Sequence, residues 1–116
     1  MTQKGTITEG EIRRLARGFQ ALRSILRIRI LAALAEGQSN VKDLEAKLRV
    51  SQPLLSWHLN QLRQAGFVNA ERMGREVLYC LHPNAFQDMV GDLEHVLGFS
   101  LSSSAGSKTT DPLREE

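Results

Sequence analysis

Only Arg49, Val50 and Ser51 separate two helical segments, and a hairpin pattern follows the second directly. Few folds accommodate that run. Asn40 can cap a short helix that extends through Leu48. Ser51 reads as the cap of the next helix, with Gln52 and Pro53 in its first turn, where a missing N–H costs little. Leu55, Leu59 and Leu62 then recur at i, i+4 and i+7, the spacing of one buried helical stripe, and Gly66 ends the segment. "FVNAER" and "REVLYCL" read as strands joined around Met73-Gly74. A short helix, a tight turn and a longer helix form a helix-turn-helix, and a hairpin placed directly after it forms a wing.

The flanks supply the rest of the fold. Thr8 and Glu11 make a T-x-x-E capping box. Behind it Ile12, Leu15, Phe19, Leu22 and Leu26 recur at helical spacing. "SILRIRILAALAEG" reads as a second, more buried helix, with Gly37 as its stop. Pro83 and Asn84 open a last helix that carries Phe86, Met89, Val90, Leu93, Val96 and Leu97 on one face. The expected fold is mostly α with a small β-hairpin: a winged helix-turn-helix in the order α-α-α-α-β-β-α. Residues 8–98 form the domain, residues 1–7 a flexible N-terminus, and residues 99–116, polar and small, a disordered tail.

With the three leucines inward, the second helix of the pair turns Gln52, Ser56, Trp57, Asn60 and Gln61 toward its outer face or flanks. Glutamine, serine and asparagine hydrogen-bond to base edges and phosphates. No carboxylate occurs between Ser51 and Ala70, as a helix entering a polyanion requires. Arg72 and Arg75 stand on either side of the hairpin turn, where they can reach a minor groove or flanking phosphates. The expected DNA-binding set is therefore Ser51, Gln52, Leu54, Ser56, Trp57, Asn60, Arg72 and Arg75, and the expected partner is double-stranded DNA. A net charge of +2 permits such a partner without demanding it. Six arginines between residues 11 and 30, against Glu11 alone, read equally well as a solvated helical face.

Other classes fit less well. No Cys-His constellation or glycine-rich phosphate loop is present, so an enzyme is not expected. No apolar run approaches the roughly 18 residues that span a bilayer, and no secretory leader is read at the N-terminus. With Cys80 as the only cysteine, a cytoplasmic protein is expected. Leu54 and Trp57 together leave open an interaction module that binds another protein.

"ALRSILRIRILAALAEG", "VSQPLLSWHLNQLRQAGFV" and "ERMGREVLYCLHP" resemble, in order, the ArsR/SmtB family of small winged-helix repressors. The resemblance covers roughly residues 15–97. Its most specific element is S-Q-x-x-x-S-x-H-L, here Ser51, Gln52, Ser56, His58 and Leu59, followed by L-x-x-A-G-hydrophobic-V. It implies a homodimeric repressor released by a signal the sequence does not identify, or a constitutive regulator without one. The first and last helices would pair across the two-fold, burying Ile12, Leu15, Phe19 and Leu22 from the first. Phe86, Met89, Val90, Leu93, Val96 and Leu97 would be buried from the last. Such a dimer reads an imperfect inverted repeat.

The chain departs from the family at Glu45, where a small residue is common, and at Arg49, where glycine is common. The family's metal sites are also missing. The C-x-C pair is replaced by "SNVKDL", and in the D-x-H element Asp88 is followed by Val90 in place of histidine. Asp88, Asp92 and His95 lie at i, i+4 and i+7 and could hold a divalent ion, but a solvated polar face is the simpler reading. No cofactor or metal is expected.

Overall fold

A computed structural model describes residues 6–101. Helix α1 spans Glu9–Leu22, α2 Ile25–Ala35, α3 Val41–Leu48 and α4 Gln52–Gln64. Strands β1 (Val68–Met73) and β2 (Glu76–Leu81) follow, and α5 spans Pro83–Leu97. The order is the expected one. The expected N-terminal segment and tail lie largely outside the described residues.

Helices α1, α2 and α3 begin where a side chain replaces a missing backbone partner. Thr8 Oγ1 accepts from Glu11 N–H, and Glu11 Oε1 accepts from Thr8 N–H, which completes the capping box. Ser24 Oγ accepts from the N–H of Arg27, and Asn40 Oδ1 from that of Asp43. The Ser24 cap breaks the apolar stripe expected on the first helix: α1 stops at Leu22, and Leu26 belongs to α2. Ser51 corrects a second expectation. It occupies the N-cap position of α4, but its side chain makes no capping hydrogen bond. Pro53, at the second helical position, lacks one of the two N–H groups such a cap uses.

Helix α4 ends in a Schellman motif. Gly66, at φ 91°, donates to the carbonyl of Arg63, and Phe67 N–H donates to that of Leu62. The motif turns the chain sharply into β1 and drives Phe67 inward, where it is buried. The hairpin is antiparallel, pairing Val68 with Leu81 and Met73 with Glu76. Its loop is thus Gly74-Arg75, one residue later than expected, with Gly74 at φ 68°. Ser39 and Tyr79 exchange backbone hydrogen bonds of 3.0 and 2.8 Å across the other edge of β2. This bridge anchors the wing to the loop between α2 and α3.

The core lies between α2, α3, α4 and the hairpin, around Ile30, Leu34, Leu44, Leu55, Leu59, Leu62, Phe67 and Val68. Burying a leucine contributes about 2 kcal/mol, so the three leucines of α4 hold that helix against the core and leave its opposite face outward. Helices α1 and α5 pack on each other at the side of this core. Only Leu15 is buried in α1, and no residue of α5 is.

Candidate nucleic-acid interface

The inward leucines of α4 determine where its polar residues go. Ser51 and Gln52 are exposed and Ser56 and Asn60 half-buried, along one flank. They are not independent. Gln52 Nε2 donates to Ser56 Oγ at 2.8 Å, and Arg63 Nη2 donates to Asn60 Oδ1 at 3.0 Å. The two pairs make a polar strip on α4 without a carboxylate. Leu54 and Trp57 lie on the outer face and are 47% and 54% exposed. The two side chains form a small apolar patch beside the polar strip.

Arg72 and Arg75 are both exposed at the hairpin end. Arg72 Nη1 reaches the carbonyl of Gly74 at 3.5 Å, which leaves most of its donors free. Two carboxylates lie nearby, Glu71 next to Arg72 on β1 and Glu76 beside the turn; the second is tied back. Asn40 Nδ2 donates to its Oε2 at 3.2 Å, holding the carboxylate toward the start of α3.

Behind the outer face sits a group that sequence reading counted only as one arginine among six. Arg27 Nε donates to His58 Nδ1 at 3.0 Å, Arg27 Nη1 donates to the carbonyl of Ala21 at 3.0 Å, and its guanidinium carbon stands 5.4 Å from the Trp57 ring centroid. Trp57 and His58 pack edge to face at 5.0 Å. Burial, and then the Arg27 charge, push His58 below the ordinary imidazole value. The Ser24 cap is the one local signal for this cluster, because it restarts the helix with Arg27 in its first turn.

The residues expected at a dimer seam divide into two groups. Leu15 is buried within the chain, and Leu22, Phe86 and Met89 pack against its own core, with Phe86 tilted on Phe67 at 4.7 Å. Ile12, Phe19, Val90 and Leu97 are exposed, and Leu93 and Val96 are half-buried. The weighed metal set does not come together either. Arg14 holds Asp92 in a two-point ion pair, Nε to Oδ2 at 2.8 Å and Nη2 to Oδ1 at 2.9 Å. That hydrogen bond keeps the Asp92 carboxyl below the usual carboxylate range. His95 Nδ1 faces Glu11 at 3.4 Å. Among the described residues, no three histidine, cysteine or carboxylate side chains converge as metal ligands would. Cys80 is half-buried on β2 opposite Asn69. No helix of the described residues is long and apolar enough to cross a membrane.

Comparison with known proteins bears on this arrangement. The family model described as bacterial regulatory protein, arsR family, matches residues 26–70, from α2 into β1. The transcriptional repressor SdpR of Bacillus subtilis is 32% identical over 72 residues, which cover 62% of this chain and 80% of that protein. The HTH-type transcriptional repressor SmtB of Mycobacterium tuberculosis is 45% identical over 73 residues, 63% of this chain and 54% of that protein. The chain thus spans about half the length of this second relative. Among solved structures, an ArsR-like transcriptional regulator from Rhodococcus sp. RHA1 superposes with a TM-score of 0.72 at 29% identity, covering 77% of this chain and 84% of that one. A helix-turn-helix with an attached wing, flanked by paired terminal helices and similar in sequence across that unit, places the chain in the arsR family of bacterial regulatory proteins.

Proposed function

We propose that this chain is a sequence-specific DNA-binding transcriptional repressor that acts as a homodimer in the cytoplasm, without catalysis and without a metal of the family type. The observation that carries the reading is the outer surface of α4. Gln52, Ser56 and Asn60 form a strip free of carboxylates, and Arg72 and Arg75 stand exposed on the wing beside it. Helix α4 enters the major groove and reads base edges, while the wing arginines contact phosphates or the minor groove. Exposed Ile12, Phe19, Val90 and Leu97 on α1 and α5 supply the apolar seam of the dimer. Repression is the activity named for SdpR and SmtB, and it comes to this chain by similarity.

A two-fold dimer presents two α4 helices, so selection from random duplexes should enrich an imperfect inverted repeat. Its half-sites should lie about one helical turn or more apart. Anisotropy titration of that duplex at several salt concentrations is the test: binding should weaken steeply as salt rises. A second reading, a protein-binding module, draws on the exposed pair Leu54 and Trp57. It predicts no duplex selection and an affinity that is flat with salt.

A further inference from the structure

A recess lies where α1, α2, α4 and α5 meet, a cleft of about 790 Å³. That is within the range of small-molecule sites, about 300–1,000 Å³. Its charge is unequal. Arg14, Arg17, Arg23 and Arg27 line it against two carboxylates, Asp88 and Asp92. Asp92 is taken by Arg14, and Arg27 turns its guanidinium toward His58 and the Ala21 carbonyl. Among the described residues, Arg17 and Arg23 have no ion-pair partner. The floor beneath them is apolar. Phe67 and Met89 lie there, and Gly18 lets Met89 pack closely on α1, since a Cβ at that position would stand 2.9 Å from Met89 Sδ. Two unpaired cations above an apolar floor suit a ligand with one anionic end and a hydrophobic body. A duplex would use the cations but not the floor, and Asp88 would repel it.

We propose that this cleft binds a small organic carboxylate with an apolar body, and that the bound anion releases α4 from DNA. The second half rests on the DNA-binding reading above. Arg17 and Arg23 hold the carboxylate, and the body lies over Phe67 and Met89. Arg27 is the coupling residue, because one guanidinium lines the cleft, donates to His58 and stands over Trp57. An anion in the cleft competes with His58 for it. Losing that tie costs α4 its placement, so ligand and DNA weaken each other by the same factor.

Trp57 is the only tryptophan, so its indole N–H gives a single NMR resonance that reports on Arg27. The full chain is titrated with benzoate, 1-naphthoate and hexanoate, and with the neutral amide of each. At least one acid should move that resonance saturably and bind at least tenfold more tightly than its amide. Arg17→Gln/Arg23→Gln should lower that affinity at least tenfold while keeping the wild-type melting temperature. If the double variant melts early, the single variants Arg17→Gln and Arg23→Gln replace it, each lowering the affinity for the acid at least threefold. Acid and amide binding alike, none of the acids binding, or variants that bind the acid as wild type does would each overturn the site. So would variants that lose salt-dependent duplex affinity while keeping full carboxylate affinity, because the arginines would then be phosphate contacts. A chain that binds duplex but no carboxylate refutes this inference alone. One that binds a carboxylate but no duplex refutes the DNA-binding reading and leaves the site standing.

Discussion

Arg27 donates from Nε to Nδ1 of His58 at 3.0 Å, and because a guanidinium only donates, the imidazole must be neutral with its proton on Nε2. Protonation at Nδ1 would set two donors and two cations against each other behind α4. The folded-state value of His58 is accordingly depressed, first by burial and then by Arg27. Its unfolded-state value is about 6.5. Between the two, the unfolded chain binds more protons than the folded one, so stability rises with pH across that window. The stabilising contribution is complete above pH about 6.5 and declines as pH falls from there through the folded value. The melting temperature of the wild type should drop more between pH 7.5 and 5.5 than that of His58→Gln. Parallel curves for the two proteins would show that another group controls the decline.

The C-cap of α3 is Arg49, at φ 58° and ψ 49°, the one non-glycine residue with positive φ among those described. Its N–H donates to the Glu45 carbonyl at 2.8 Å, so the left-handed turn closes the helix normally despite the side chain. A side chain with a Cβ costs about 1 kcal/mol there relative to glycine. Arg49→Gly should therefore stabilise the chain by up to about 1 kcal/mol in urea unfolding, reduced by the greater freedom glycine gives the unfolded state. A destabilised variant would mean that the arginine makes a contact in the dimer worth more than the strain.

Leu15 and Phe19 are neighbours on one stripe of α1 but differ in burial: Leu15 is 7% exposed and Phe19 45%. A charge at Leu15 would therefore test folding, whereas a charge at Phe19 tests assembly. Phe19→Asp should sediment as a monomer at micromolar concentration, retain the helical circular dichroism of the wild type and lose tight operator binding. A Phe19→Asp dimer with unchanged affinity would move the seam off this face of α1.

That difference between Leu15 and Phe19 also indicates what was legible in the sequence. The element order and the buried leucines of α4 are written in periodicity and caps, which depend on residues three or four apart. The polar face of α4 follows from the same wheel, whereas Arg49 stands out only by the family resemblance, which favours glycine there. The Arg27–His58 bond joins residues 31 positions apart and Arg14–Asp92 joins residues 78 apart. Those pairings are products of packing: the Ser24 cap places Arg27 in a first turn, but no local pattern names its partner or that of Arg14. Asp88, Asp92 and His95 fit a metal-ligand spacing on their own helix, but α1 supplies Arg14 as the partner of Asp92 and Glu11 as that of His95. The wing bridge between Ser39 and Tyr79 was illegible for a similar reason: one isolated residue pair leaves no alternation to read.

Gln52 and Arg75 should separate sequence reading from charge. In the free chain Gln52 Nε2 is already bonded to Ser56 Oγ at 2.8 Å, which orients the amide at the exposed start of α4. Its carbonyl oxygen and second amide proton remain for a base edge, the two-point pattern that recognises adenine. Gln52→Ala should thus cost about 1–3 kcal/mol on the selected duplex and much less on random DNA. Ser56→Ala should have a smaller effect in the same direction, since it frees the amide to rotate without removing it. Arg75 is exposed in the hairpin loop and has no base-reading geometry imposed on it. Arg75→Ala should weaken selected and random duplexes alike and lower the salt slope by about one unit per protomer, the loss of one phosphate contact. Titrations of the variants on both duplexes at two salt concentrations give the comparison. Equal losses for Gln52→Ala and Arg75→Ala on both DNAs would mean that α4 and the wing do not divide the work in this way. A sequence-dependent loss confined to Arg75→Ala would instead make the wing the reader, through the width of the minor groove it enters.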